Sequence, residues 1–156
     1  MSRTAEPISE RCNCLALRQA ARHVTQFYDQ YLAPTGRRVT QFSLLTKLQR
    51  SRPLTINALA EELVMDRTTL GRNIQPLERE GLIAVKAGRA DRRSKELLLT
   101  DAGVTRLRAA RRAWAKAQAG FESVFGDDRA SELRTILRAV SASDLGATAR
   151  APDPMM

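Results

Sequence analysis

Between Thr55 and Thr100 the chain leaves little choice of fold. Ile56, Leu59, Ala60 and Leu63 recur at helical spacing behind Thr55, a residue suited to capping a helix. "VMD" then leaves room only for a tight turn. Asp66 is a second capping residue, and the helix it opens runs to about Glu80, with Leu70, Ile74 and Leu77 on its core side and Gly81 as its stop. Two strand patterns follow at once, "LIAVKA" and "KELLLT", with "GRADRRS" between them. A short helix, a tight turn, a longer helix and a charged hairpin, in that order, predict a winged helix-turn-helix.

Amphipathic helices flank this unit. Upstream, Leu17, Ala20, Ala21, Val24, Phe27, Tyr28, Tyr31 and Leu32 share one face of a helix that Ser9 can cap and "APTG" ends. A second helix fits Thr40 to Gln49, and "SRPLT" breaks it. Downstream, Thr100 caps a long helix with Val104, Leu107, Ala110, Trp114, Ala117, Phe121 and Val124 near heptad spacing. Gly126 ends it, and Asp127 opens a last helix with Ala130, Leu133, Ile136, Leu137 and Val140 on one face. The fold class is therefore mainly α with a small β-hairpin wing, an α+β winged helix-turn-helix with helical dimerisation regions at both ends. The expected divisions are a flexible tail over 1–8, a dimerisation helix over 9–33 and the winged unit over 39–100. Dimerisation helices over 101–146 and a flexible tail over 147–156 complete them. The terminal helices have more apolar face than the winged unit can cover, so a second copy of the chain is the expected cover.

Charge says what the winged unit meets. From Arg67 to Lys95 eight cations face three acids, a net +5, within a chain of net charge +9 and isoelectric point about 10.7. That balance points to a polyanion, with nucleic acid first. Opposite its core side the longer helix carries Arg67, Thr68, Gly71, Arg72 and Gln75. Arg bonds guanine in bidentate fashion, Gln bonds adenine, and Thr offers a hydroxyl and a methyl. Gly71 is either a place where the helix approaches DNA closely or a tolerated defect. Pro76 should kink the helix beyond these positions. The hairpin tip, with Arg89, Arg92 and Arg93, has the charge to enter a minor groove.

Other classes fit poorly. Aromatics are 4% of the chain, too few for a platform that stacks bases. No apolar run approaches the roughly 18 residues a membrane span needs, and "MSRTAEPISER" is too polar for a signal peptide. A cytoplasmic protein without membrane contact is expected. No phosphate loop, dinucleotide fingerprint or nucleophile elbow is present, so neither an enzyme nor a cofactor is expected.

"PLTINALAEELVMDRTTLGRNIQPLEREGLI" followed by "GRADRRSKELLLTDAG" resembles the multiple antibiotic resistance regulator (MarR) family. The wing pattern of that family is matched by Asp91, Arg93, Leu99, Thr100 and Gly103. The resemblance implies a homodimer bound to a pseudo-palindromic double-stranded operator, with affinity set by a small-molecule effector or, in some members, by thiol oxidation. It implies that Thr68, Thr69 and Arg72 contact DNA from the reading helix, and that Arg93 is the minor-groove contact with Asp91 orienting it. It also implies an effector pocket, for which Phe42, Tyr31 and Trp114 are candidate linings. The wing reads "AGRAD" where family wings often carry a Pro.

Cys12 and Cys14 are placed in the first turns of the first helix. There, residues two apart point about 200° away from each other, which disfavours a bridge between them. The helix start with Arg11 and Arg18 suits a reactive thiol at Cys12. The first reading is thus a sequence-specific dimeric regulator, a repressor. The alternatives are a thiol-based redox or metalloid sensor of the same fold using Cys12 and Cys14, and a non-specific DNA-binding or protein-interaction module.

Overall fold

The structure, a computed structural model, describes residues 7–50 and 53–146. Most of the expected tail at 1–8, the whole of that at 147–156, and part of the "SRPLT" break lie outside the described residues. The elements are α1 (Ile8–Arg11), α2 (Asn13–Leu32), α3 (Val39–Arg50), β1 (Leu54–Thr55), α4 (Ile56–Glu62) and α5 (Arg67–Arg79), then β2 (Ile83–Ala87), β3 (Lys95–Leu99), α6 (Asp101–Phe125) and α7 (Asp127–Ala142). A single 3-10 turn, Ala33–Thr35, follows α2. The class is α+β as expected: helices predominate around one three-stranded antiparallel sheet of order β1-β3-β2. The chain divides into two compact units, the first ending at Gln118 and the second beginning at Ala119, within α6.

The upstream helix departs from the sequence reading. Ser9 does not cap it but lies inside the one-turn α1. Cys12 then turns extended, at φ −77° and ψ 102°, and its Sγ accepts the Leu15 N–H at 3.4 Å as the cap of α2. The cap position needs non-helical backbone and a side-chain acceptor, and a thiol is a weak acceptor that fills the place. Cys12 is thus outside the helix that holds Cys14, and the helical argument about their directions does not apply to it.

The helix-turn-helix follows the local signals. Thr55 Oγ1 accepts the Ala58 N–H at 3.1 Å, and Asp66 Oδ1 accepts the Thr69 N–H at 2.8 Å. Between them α4 ends in a Schellman arrangement: Met65 N–H bonds to Ala60 C=O and Val64 N–H to Glu61 C=O. The same pair of bonds closes α5, from Leu82 to Leu77 and from Gly81 to Glu78. In α4 the left-handed residue is Val64, at φ 51°, a costly conformation for a β-branched side chain. Pro76 does not end α5, which continues to Arg79.

The sheet holds a strand that the sequence did not signal. Leu54 and Thr55 pair with Leu97 and Glu96. In the hairpin Ile83 faces Leu99, Val85 faces Leu97 and Ala87 faces Lys95. Leu97 and Leu99 turn into a core with Leu45, Leu48, Leu59, Leu70, Leu77 and Leu107. The wing is anchored by Thr100, whose hydroxyl donates to Gly81 C=O at 2.6 Å and accepts the Gly103 N–H at 3.0 Å. A Cβ on Gly103 would lie 2.2 Å from the Leu82 carbonyl oxygen. The glycine of the wing pattern is therefore a contact of backbone on backbone.

Arg37 fixes the far end of α5. It is 8% exposed, and its guanidinium donates to both Glu80 oxygens, at 3.3 and 2.5 Å. Those bonds, with Arg106 nearby, hold the Glu80 carboxyl below the usual carboxylate range. In the second unit Phe121 and Phe125 stack at 5.4 Å, Arg129 lies over the Phe125 ring, and Arg134 pairs with Glu122 at 3.1 Å.

Candidate nucleic-acid interface

The reading helix α5 buries Leu70, Ile74 and Leu77 and turns Arg67, Thr68, Thr69, Arg72 and Gln75 to solvent. Nothing lies within 4 Å of where a Gly71 Cβ would stand. Thr69 differs from its neighbours, because its hydroxyl already donates to Asp66 Oδ2 at 2.6 Å. That bond, then the Thr69 N–H, holds the Asp66 carboxyl below its ordinary range. The free part of Thr69 is its methyl and a hydroxyl lone pair.

The wing tip is shaped by bonds from acids to backbone. Asp91 Oδ1 accepts the Arg93 N–H at 2.9 Å, and Asp91 C=O takes both the N–H and the hydroxyl of Ser94, at 3.0 and 2.7 Å. Glu96 Oε1 accepts the Arg89 N–H at 3.2 Å. Gly88 donates to Ser94 C=O at 2.8 Å, and a Cβ there would sit 2.6 Å from the Asp91 carbonyl oxygen. Asp91 is joined to Arg93, but through the backbone and not the guanidinium. The side chains of Arg89, Arg92 and Arg93 stay exposed and form no ion pair among the described residues.

Arg67, Asp91 and Arg93 come together in a polar groove of about 410 Å³, shared with Thr55, Asn57, Ser94 and Lys95. Arg89 and Arg92 do not line it, and Thr68, Arg72 and Gln75 lie further along α5. Glu96, Ser94 and Asn57 were missed by sequence reasoning. Asn57, two residues beyond a recognised cap, was the one with a local signal.

The remaining candidates scatter. Cys12 is half-buried, Cys14 exposed, and both are free thiols. Among the described residues no group of three or more His, Cys, Asp or Glu side chains is placed to hold a metal ion. Phe42 stacks on Trp114 at 5.9 Å, and Tyr31 packs on Phe27 at 5.2 Å. A cavity of about 330 Å³ lies among Val24, Tyr28, Val39, Leu44, Leu63 and Met65, with Thr25, Thr40, Ser43 and Asn73 as polar points. No described helix is long and apolar enough to cross a membrane.

A sequence model of the MarR family matches residues 38–95, which span the helix-turn-helix and most of the wing. No curated protein matches the chain. The chain is 35% identical to the M. tuberculosis transcriptional regulator MosR, solved in complex with DNA, with a TM-score of 0.74 over 86% of this chain and 99% of that one. It is 25% identical to the transcriptional repressor CouR, bound to a 23-mer DNA duplex, with a TM-score of 0.77 over 90% and 99%. Bordetella bronchiseptica BpsR, whose DNA binding is regulated by 6-hydroxynicotinic acid, shares the fold at 20% identity and a TM-score of 0.78 over 89% and 99%. The residues that match the family model are those that build α5 and the wing, and the likeness to MosR extends over both flanks, so this chain belongs to the MarR family of transcriptional regulators.

Proposed function

We propose that this protein is a homodimeric, sequence-specific repressor that sets its reading helix in the major groove and its wing in the adjacent minor groove of a pseudo-palindromic operator. The observation that carries this reading is the pairing of exposed Arg67, Thr68, Arg72 and Gln75 on α5 with Arg93 of a wing already shaped by Asp91. Thr69 adds a methyl contact, and Arg89 and Arg92 add phosphate contacts. The mixture of Arg with Thr and Gln favours base reading over packaging, which needs cations alone. The winged unit over 39–100 does the reading, and the helices over 9–33 and 101–146 make the dimer. Leu17 in the first unit and Ile136, Leu137 and Val140 in the second are 38–52% exposed in the single chain, apolar side chains that a second copy would cover. The 330 Å³ cavity, apolar with a few hydroxyl and amide groups, suits a small effector with an apolar body and one or two polar groups.

The test is a mobility shift on the intergenic DNA upstream of the coding sequence, with unrelated DNA as competitor. Retention of the shift under excess competitor supports the reading. Equal competition by unrelated DNA supports the non-specific module instead. One observation favours a thiol-sensing variant of the same function: Cys12 stands outside the helix with its Sγ at the cap of α2. Release of operator on peroxide treatment, lost in Cys12→Ser, would establish it.

A further inference from the structure

The reading surface does not account for all of the chain's excess charge. Between Asp101 and Glu122 there are five cations and no acid. Arg106 lies by Glu80, and Arg111 donates to Gln49 at 2.5 Å. The other three, Arg108, Arg112 and Lys116, recur at intervals of four and so share one face of α6. All three are exposed and form no hydrogen bond or ion pair among the described residues. Like charges at this spacing destabilise a helix, and nothing among the described residues offsets them.

We propose that this face of α6 is a docking surface for a second segment of duplex DNA, apart from the operator. The three cations span about 12 Å of helix, a length over which one DNA strand presents three or four phosphates. Of the exposed residues between them, Ala109 and Ala115 are small, Arg111 is a further cation held by Gln49, and Trp114 is 36% exposed and stacked on Phe42, so a rigid rod can approach the cations. A membrane-surface helix would instead set large apolar side chains beside its cations. Here Leu107 is buried, and the one large apolar side chain exposed beside the cations, Trp114, has its ring stacked on Phe42. A second copy of the chain is disfavoured on this face, because identical stripes repel, and the dimer contact proposed above rests on apolar side chains of α2 and α7. The stripe is also remote from the reading end of α5. Arg106 neighbours Glu80 at the far end of that helix, on the order of 20 Å from Arg67.

The inference rests on the operator reading proposed above, and the test separates the two. Operator duplex is immobilised and saturated with protein, so that both reading lobes are filled. A labelled unrelated 40-base-pair duplex is then added at two salt concentrations. Wild type should retain it, and the Arg108→Gln/Arg112→Gln/Lys116→Gln variant should lose at least tenfold while its operator affinity stays within twofold. The salt slope of retention should fall by about 0.9 for each cation removed. Arg108→Lys/Arg112→Lys should retain the duplex. The stripe is overturned if wild type retains none, if the Gln variant retains as much, or if the Lys variant fails like the Gln one. It is also overturned if the stripe binds phosphatidylglycerol vesicles but no second duplex. Absence of operator binding by wild type overturns both proposals, whereas wild type that binds operator but retains no second duplex overturns the stripe alone.

Discussion

Replacing Asp91 by alanine sets two effects against each other. The change removes a negative charge beside DNA, which favours binding. Coulomb energy between unit charges about 10 Å apart in water is roughly 0.4 kcal/mol. A Debye length of about 8 Å at physiological salt screens most of it. The change also removes the Oδ1 acceptor that holds the Arg93 N–H at 2.9 Å. A net hydrogen bond is worth about 1 kcal/mol, and a homodimer has two wings, so the loss is about 2 kcal/mol, or roughly thirtyfold in Kd. Ordering of the wing should therefore win, and Asp91→Ala should weaken operator binding. Asp91→Asn keeps the acceptor and drops the charge, so it should bind as well as wild type or up to about twofold tighter. Fluorescence anisotropy on a labelled operator at two salt concentrations measures both. Tighter binding by the alanine variant, or equal weakening by asparagine and alanine, would refute the argument from turn geometry.

Val64→Gly should raise stability by about 1 kcal/mol, read as a higher urea midpoint, because it relieves a left-handed valine that is 73% exposed. Glu80→Gln should cost about 1–2 kcal/mol at pH 7, since it strands the buried Arg37 guanidinium beside a partner that is itself 42% exposed. The Glu80 carboxyl is held low in the folded protein, so its contribution is present above the unfolded value, about 4.3, and fades as pH falls through the folded one. The gap between wild type and Glu80→Gln should therefore close in unfolding curves below about pH 4. Ile136→Arg should shift the sedimentation mass from near twice 17.3 kDa towards the single chain, by placing charge in an apolar contact. Gly71→Ala should stabilise the free protein by about 0.5–1 kcal/mol, since nothing crowds its Cβ, yet lower operator affinity because DNA then meets a methyl.

What could be read from sequence was local. Thr55, Asp66 and Thr100 cap helices because the partner N–H lies three residues on, and that spacing is written in the chain. The core side of α5 was legible because three apolar residues repeat with the helix. β1 was not, because a strand of two residues exists only through Leu97 and Glu96, some forty positions away. The cap at Cys12 was missed because Ser9 is the better capping residue, while the backbone turns extended three residues later. At the candidate site the exposed cations were expected by position. Their backbone supports, Asp91 for Arg93 and Glu96 for Arg89, depend on how a seven-residue loop folds back on itself. The cavity lining was likewise out of reach, since it is assembled from α2, α3 and α5 and from the turn after α4.

The contact at Gly103 also bears on how such a chain can change. The wing is joined to α6 through the carbonyl of Leu82, the bare Cα of Gly103 and one hydroxyl, that of Thr100. None of the side chains proposed to read DNA takes part in that joint. Substitutions at Arg72, Gln75 or Arg92 can thus alter which operator is preferred while the lobe keeps its shape. Specificity in this protein is free to drift on a mount that is not.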